Sequence, residues 1–361
     1  MKVAIQKKIK QNPFLKVLGE QPSLSDVDYK FKALSLFSGG GGLDLGVSLA
    51  GFEVKFSSDV EEQLCETIKF NFPNACVLTE DVRKLKGKAI RKLSGVNEFD
   101  LLIGGPPCQA FSILGKRESF DDPRGQLAYE YVRLVKEIQP NAFLFENVTG
   151  LLTLNKGKDW EVFKDFLIGE TGYTIFHTVL NSADFGIPQI RKRVFIVGFK
   201  KNVKDFSFPK PTHFNPDDLG NLFYSEEFKW LPSKYALEKA EGLPNHEKRI
   251  HGDRVAKRYS VIPQGDRDKI DRTDRINSAL PSGTVLVGSK AGGGRPFIHP
   301  KEPRHITVRE AARLQSFPDW YVFKNTGTWQ YRAVGNAVPP LLAKLIAEQI
   351  AASLQKSNGG I

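Results

Sequence analysis

From Phe31 onward, continuous apolar runs alternate with helix-length segments. The runs are FKALSLF (31–37), VKFSSD (54–59), ACVLTED (75–81), FDLLIGG (99–105), AFLFEN (142–147), YTIFHTVLN (173–181) and VFIVGF (194–199). Runs of this kind predict strands buried on both faces of one sheet. Between two of them, LAYEYVRLVKEI (127–138) puts Leu127, Tyr131, Leu134, Val135 and Ile138 on one helical face, and Pro140 stops it. The pattern predicts a doubly wound α/β fold.

After Phe199 the alternation is lost. Residues 205–303 are rich in Pro, Gly, Lys, Arg and Asp and predict a second, smaller, irregular domain. TVLVGS (284–289) reads as a strand before the glycines 292–294 and Arg295. Residues 307–318 predict a helix capped by Thr307 with Glu310 at its third position. LLAKLIAEQIAASL (341–354) predicts a second amphipathic helix. Residues 1–30 read as a polar extension with no obvious core face and a short helix around 3–10. The chain therefore divides into that extension, an α/β part (31–204), the irregular part (205–303), a linking stretch with its helix (304–332), and a C-terminal helical part (333–356).

Composition narrows the setting. The 361 residues are 40% hydrophobic and 26% charged, as in globular proteins. No apolar run approaches the ~20 residues of a membrane span, and the basic start MKVAIQKKIK lacks a signal-peptide core. A protein of the cytoplasm, or of a nucleus if the source has one, with no membrane partner is expected. The net charge is +11 and the pI near 9.4, which favours a polyanionic partner such as nucleic acid. A basic run, Lys248, Arg249, Arg254, Lys257, Arg258, Arg267, Lys269, Arg272 and Arg275, is partly offset by Asp266, Asp268, Asp271 and Asp274. The cysteines, Cys65, Cys76 and Cys108, show no metal-ligand spacing and no disulfide pattern, so no metal is expected.

The chemistry concentrates in FDLLIGGPPCQAFS (99–112). A buried strand ends at Gly104–Gly105, two prolines stiffen the loop, and Cys108 stands beyond the strand's carboxyl end. Ligands gather there in open α/β sheets, and a thiolate is the strongest ordinary nucleophile. FSGGGGLDLG (37–46) follows a strand and opens a helix, where backbone amides can face a cofactor. Asp59 lies 20 residues after Gly39, the offset of a ribose-binding carboxylate. Asp81 ends a third strand beside the same cleft.

These pieces, in order, resemble the bacterial-type DNA cytosine-5 methyltransferase family: FSGGGGLDLG, GGPPCQAFS, FENV (145–148), GIPQIRKRVFIVGF (186–199), RHITVREAARLQSFPDW (304–320) and VGNAVPP (334–340). The resemblance covers about 31–355, except most of 205–300. It implies a Rossmann-like S-adenosylmethionine-dependent methyltransferase sheet with a target-recognition domain at 205–303. It implies Cys108 as the nucleophile on carbon 6 of a flipped-out cytosine and Glu146 as the proton or hydrogen-bond donor to ring nitrogen 3. Arg191 and Arg193 bracket the ring, and Asn147 holds the loop. For the cofactor it implies Phe37 at the adenine, Gly39, Gly41 and Gly42 at the methionine end, Asp59 at the ribose and Asp81 at the adenine amine. Val60, Val82, Pro107, Asn336 and Ala337 complete that pocket. Val60 departs from relatives that have an aromatic residue after the acid, so stacking weakens and Glu61 rivals Asp59 for the ribose.

The segment 111–125 has the composition of a lid with hinges at Gly115 and Gly125. Gln109, Ser112, Lys116 and Arg124 are candidate DNA contacts. Base reading falls to 248–275 and the loop 288–295. The expected partners are double-stranded DNA and a restriction endonuclease of the same system, and the expected state is a monomer. The weighed alternatives are an RNA methyltransferase of the same architecture, a nicotinamide oxidoreductase using the glycine cluster, and a non-catalytic DNA-binding relative. The oxidoreductase reading leaves Cys108, Glu146 and the arginine pair unexplained.

Overall fold

The computed structural model describes residues 12–107, 126–200, 203, 205–215, 217, 228–286 and 297–358. Each apolar run forms a strand: β1 (Phe31–Leu36), β2 (Phe52–Asp59), β3 (Cys76–Thr79), β4 (Leu101–Gly104), β5 (Ala142–Val148), β6 (Thr174–Asn181) and β7 (Lys192–Phe199). They make one seven-stranded sheet in the order β3-β2-β1-β4-β5-β7-β6. The pairs from β3 to β5 are parallel, and β7 runs antiparallel to both β5 and β6. Leu101, Leu102 and Ile103 are all fully buried, as strands covered on both faces must be.

The helices are α1 (Pro13–Gly19), α2 (Gly42–Leu49), α3 (Glu62–Asn71), α4 (Gly87–Ser94), α5 (Gln126–Ile138), α6 (Gly150–Thr153), α7 (Lys158–Thr171), α8 (Lys234–Leu237), α9 (Asp253–Ser260), α10 (Val308–Leu314), α11 (Gly327–Asn336) and α12 (Pro340–Asn358). One face of the sheet packs Leu102, Phe143 and Phe145 against Tyr131, Val135 and Phe163 of α5 and α7. The other packs Leu101, Ile103 and Leu144 against α2 and, through Leu342, Ile346 and Ile350, against α12. The sheet is thus doubly wound, as its apolar runs predict. Residues 327–357 are long and apolar enough to span a bilayer by composition alone, but 67% of their most apolar window is buried in the fold. They are core helices.

A third cluster corrects the reading of the N-terminal stretch. Phe14 and Leu18 of α1 are buried with Leu45, Leu64, Ala236, Ile306 and Leu314. Asn12 caps α1 and donates to the Tyr235 carbonyl at 2.9 Å. The stretch from residue 12 therefore has a core face. Two apolar residues four apart suffice for it, and the polar residues around them hide it.

Segment 205–303 carries two short helices and isolated bridges among its described residues. Thr284–Leu286, expected to start a strand, instead bonds sideways to the chain before β7: Thr284 Oγ1 donates to the Ile190 carbonyl and the Val285 amide to Gln189 Oε1. α10 has the expected capping box between Thr307 and Glu310, and stops at Leu314 rather than 318. There Ser316 takes a left-handed φ of 64° and Pro318 follows.

Candidate active site

β1 and β4 are hydrogen-bonded neighbours, yet their onward connections leave in opposite directions. Such a switch point opens a crevice at the strands' carboxyl ends. A cavity of about 830 Å³ lies there. Its walls come from the loop after β1, the ends of β2, β4 and β5, the start of β7, and the turn from α11 into α12. It gathers Phe37, Gly39, Gly42, Asp59, Val60, Glu61, Asp81, Val82, Pro107, Glu146, Arg191, Arg193, Asn336 and Ala337.

The antiparallel direction of β7 explains the reactive wall. Glu146 pairs with Phe195, and Val148 with Arg193, so Arg193 is the diagonal neighbour of Glu146 on the same face. Arg193 Nε lies 3.0 Å from Glu146 Oε1. That is an ion-pair distance, but Oε1 has no aligned hydrogen bond. Glu146 is 8% exposed. Burial pushes its carboxyl up, and Arg193 and then Arg191 oppose the shift. Arg191, two residues before Arg193, is 2% exposed, with Nε and Nη1 unpartnered among the described residues. Its Nη2 reaches the Asn336 carbonyl at 3.5 Å. Burial first, and Arg193 second, lower its pKa to about 9, so it remains a cation at neutral pH. Unpartnered buried donors of this kind suit an acceptor brought by a ligand. Asn147 Nδ2 donates to the Pro106 carbonyl at 2.9 Å and fixes the rigid run that leads to Cys108, as expected of it.

Gly40, Gly41 and Gly42 are required by protein neighbours. A Cβ on Gly40 would lie 2.2 Å from the Ala333 carbonyl oxygen, one on Gly41 2.3 Å from the Tyr321 hydroxyl, and one on Gly42 2.2 Å from the Val338 carbonyl oxygen. Gly39, whose Cβ would meet only the Phe37 carbonyl oxygen at 3.8 Å, is the glycine with free space beside it. Gly39, Gly40 and Gly42 line the cavity.

Asp59 Oδ2 accepts from the Gly39 amide at 2.9 Å and Oδ1 from the Glu61 amide at 3.0 Å. Each oxygen keeps a lone pair for a hydroxyl donor. Burial raises its pKa. Asp81 is held by Arg83, whose Nε lies 3.0 Å from each carboxylate oxygen, and that pairing lowers its pKa. Val60 is 62% exposed at the mouth, and Glu61 faces Arg332 Nη2 at 3.7 Å.

Two pocket residues escaped the sequence reading. Asp44 is fully buried under the glycine loop, accepting from Ser35 at 3.0 Å and Ser57 at 2.8 Å. Desolvation raises its pKa to about 6. A lone acid in GLDLGVSL was the available signal. Arg332 lies over the Trp329 ring at 4.4 Å and lines the cavity. Cys108, Gln109, Ser112, Lys116 and Arg124, the lid 111–125 and the loop 288–295 lie outside the described residues.

The doubly wound sheet, with a glycine loop and acids at its switch point, defines a Rossmann-like methyltransferase fold. The sequence profile of the C-5 cytosine-specific DNA methylase family matches residues 31–352. The chain belongs to that family and is a DNA cytosine-5 methyltransferase. It is 34% identical to the Type II methyltransferase M.XorII of Xanthomonas oryzae pv. oryzae, over 90% of this chain and 85% of that protein. It is 38% identical to M1.HphI of Haemophilus parahaemolyticus, over 88% and 86%. A solved prophage-encoded DNA modification methyltransferase (E. coli) superposes with a TM-score of 0.72 at 30% identity, covering 90% of this chain and all of that one. The S. pombe Dnmt2 methyltransferase shares the fold, with a TM-score of 0.64 at 20% identity, over 91% of this chain and all of that one.

Proposed function

We propose that the enzyme methylates carbon 5 of a flipped-out cytosine in double-stranded DNA through a covalent Cys108 adduct, with S-adenosylmethionine as donor. The observation that carries this reading is the buried Glu146 carboxyl beside Arg193 and Arg191, on the strand next to the one that leads to Cys108.

Carbon 5 of cytosine is a weak nucleophile. The Cys108 thiolate bonds to carbon 6 while Glu146, whose protonated form burial favours, donates to nitrogen 3. The ring then carries electron density to carbon 5. Once carbon 5 carries the methyl group, solvent water takes its proton, the thiolate leaves carbon 6 as the 5,6 double bond re-forms, and the nitrogen 3 proton returns to Glu146. Arg193 orients Glu146, and the spare donors of Arg191 suit a base carbonyl or phosphate. S-adenosylmethionine supplies an electrophilic methyl group on a sulfonium. The spare lone pairs on Asp59, the carboxylate of Glu61 and the open face of Gly39 fit its ribose and methionine parts. Phe37, Val82, Pro107, Asn336 and Ala337 form the enclosing walls.

Segment 205–303 is inferred to read the target sequence, Ser112, Lys116 and Arg124 to contact DNA from the lid, and Gln109 to contact it just before the lid. The Type II names of the relatives support a cytoplasmic modification enzyme paired with a restriction endonuclease. The test is trapping with duplexes carrying 5-fluorocytosine, which blocks release of the thiolate. The adduct is expected at residue 108 and is expected to vanish in Cys108→Ser. Bisulfite sequencing of plasmid from expressing cells gives the site. Folded, cofactor-bound enzyme that yields no adduct across a range of duplexes, or an adduct elsewhere, overturns the mechanism.

A further inference from the structure

Four consecutive glycines give the loop 39–42 more backbone freedom than any other part of the site. A loop that free must be held from outside to present one shape to a ligand. Two of its neighbours press on it through backbone: Ala333 on Gly40 and Val338 on Gly42. Side chains hold it too, and one of them does so by a hydrogen bond. Tyr321, from the turn after α10, sends its hydroxyl 281 positions back along the chain to donate to the Gly40 carbonyl at 2.9 Å. It is 0% exposed, its ring packs against Phe317 and Phe323 at 5.1 and 5.2 Å, and its own carbonyl accepts from Arg309. Tyr321 is absent from the cavity wall.

We infer that Tyr321 is a positioning residue for the cofactor, its hydroxyl fixing the Gly40 peptide so that the glycine loop keeps the shape that admits the methyl donor. The inference rests on the proposed use of S-adenosylmethionine. A free loop would have to be ordered at each binding event, and the tyrosine meets that cost in advance. The hydroxyl also sits against Gly41, where φ is +76° and the chain turns into α2. Removing it leaves the ring packing intact and frees a single carbonyl.

The test compares the parent with Tyr321→Phe and Tyr331→Phe. Tyr331 is a matched control: its hydroxyl donates to the Ile306 carbonyl at 2.6 Å, away from the glycine loop. Binding of S-adenosylhomocysteine is measured by calorimetry, beside kcat, KM for S-adenosylmethionine and Tm. Tyr321→Phe is expected to raise Kd and KM about 3- to 10-fold, the range of one lost hydrogen bond, with kcat within about twofold. Tyr331→Phe is expected to lower Tm comparably and leave Kd unchanged. An unchanged Kd in Tyr321→Phe, or equal weakening in both variants, overturns the inference.

A second measurement uses the parent alone and does not depend on the variant folding. Hydrogen exchange at amides 319–323 is expected to slow when S-adenosylhomocysteine binds, although those residues are absent from the pocket wall. Unchanged exchange overturns the inference. Parent enzyme that binds no S-adenosylhomocysteine instead overturns the proposed cofactor, and the Tyr321 role falls with it.

Discussion

In β4 and β5 the backbone is consumed by ladders on both sides, and the side chains are left free to pack or react. Between residues 238 and 323 no such ladder exists among the described residues, and arginines serve the backbone instead. Arg275 donates to the carbonyls of Tyr259, Ile262 and Pro300. Arg309 donates to those of Pro244, Pro318 and Tyr321, and Arg313 to that of Glu238. Irregular chain buried in a protein must still satisfy its polar groups, and a guanidinium has five donors to offer. The sheet thus uses backbone for structure and spends charge on chemistry. The irregular segment spends much of its charge on structure.

The largest effect should fall on the sheet side. Glu146→Gln keeps the shape and removes the acid. Turnover should drop by about 10²- to 10⁴-fold, while S-adenosylhomocysteine and DNA binding persist and Tm holds or rises. In the parent, burial raises the Glu146 pKa. The protonated form is the active one, so single-turnover rates should fall as pH rises through that raised value. In Glu146→Gln this fall should disappear. A variant with near-parent turnover would remove Glu146 from the chemistry.

Next comes the arginine scaffold. Arg309→Met matches the stem but strands the buried carbonyls of Pro318 and Tyr321, each worth about 1–3 kcal/mol when unsatisfied, and frees the part-buried one of Pro244 to water. Denaturant unfolding should show a loss of about 3 kcal/mol or more, comparable with about 2–5 kcal/mol for Leu144→Ala in the sheet core. A loss below about 1 kcal/mol would mean that the irregular segment is held by its apolar contacts alone.

The two regions were also unequally legible in the sequence. The strands were readable because a strand buried on both faces is apolar at every position, a local signal. Glu146, Asn147, Arg191 and Arg193 were legible through motifs flanking those strands. The segment 205–303 has no period to read. Its basic run reads in sequence as partly offset by interleaved aspartates, and the structure assigns the partners: Arg258 meets Asp268 at 2.9 Å and Arg267 pairs with Asp274, while Arg275 is buried on carbonyls. Sequence shows charge but not which charge is spent internally. The packing demand on the glycine loop was hidden for a related reason: close approach by Ala333, Tyr321 and Val338 is long-range, and nothing local distinguishes it from close approach by a ligand.

Asp44 offers a smaller effect on the sheet side. Its carboxyl sits near pH 6 in the fold against an ordinary value of 3.8. Between those values the folded state holds more protons than the unfolded one, so this group's contribution to stability declines as pH rises from about 4 to 6. The bound is about 3 kcal/mol. Asp44→Asn should flatten that decline relative to the parent across the same window, as measured by denaturant midpoints. Parallel profiles for the two proteins would show that Asp44 is ionised at its ordinary pKa.

The smallest effect separates spent charge from free charge within the irregular segment. Among its described residues, no ion pair engages Arg249, Arg254, Lys257, Lys269 or Arg272, and all five are exposed. Arg254→Ala should leave stability within about 0.5 kcal/mol. If Arg254 meets a phosphate, the variant should reduce the slope of log affinity against log salt by about 0.9. Arg258→Ala should do the reverse, because it abandons the buried Asp268 carboxylate. It should cost stability first and alter the salt slope little in the fraction that remains folded. Equal salt slopes for Arg254→Ala and the parent would move the DNA-facing surface away from this run and toward the lid.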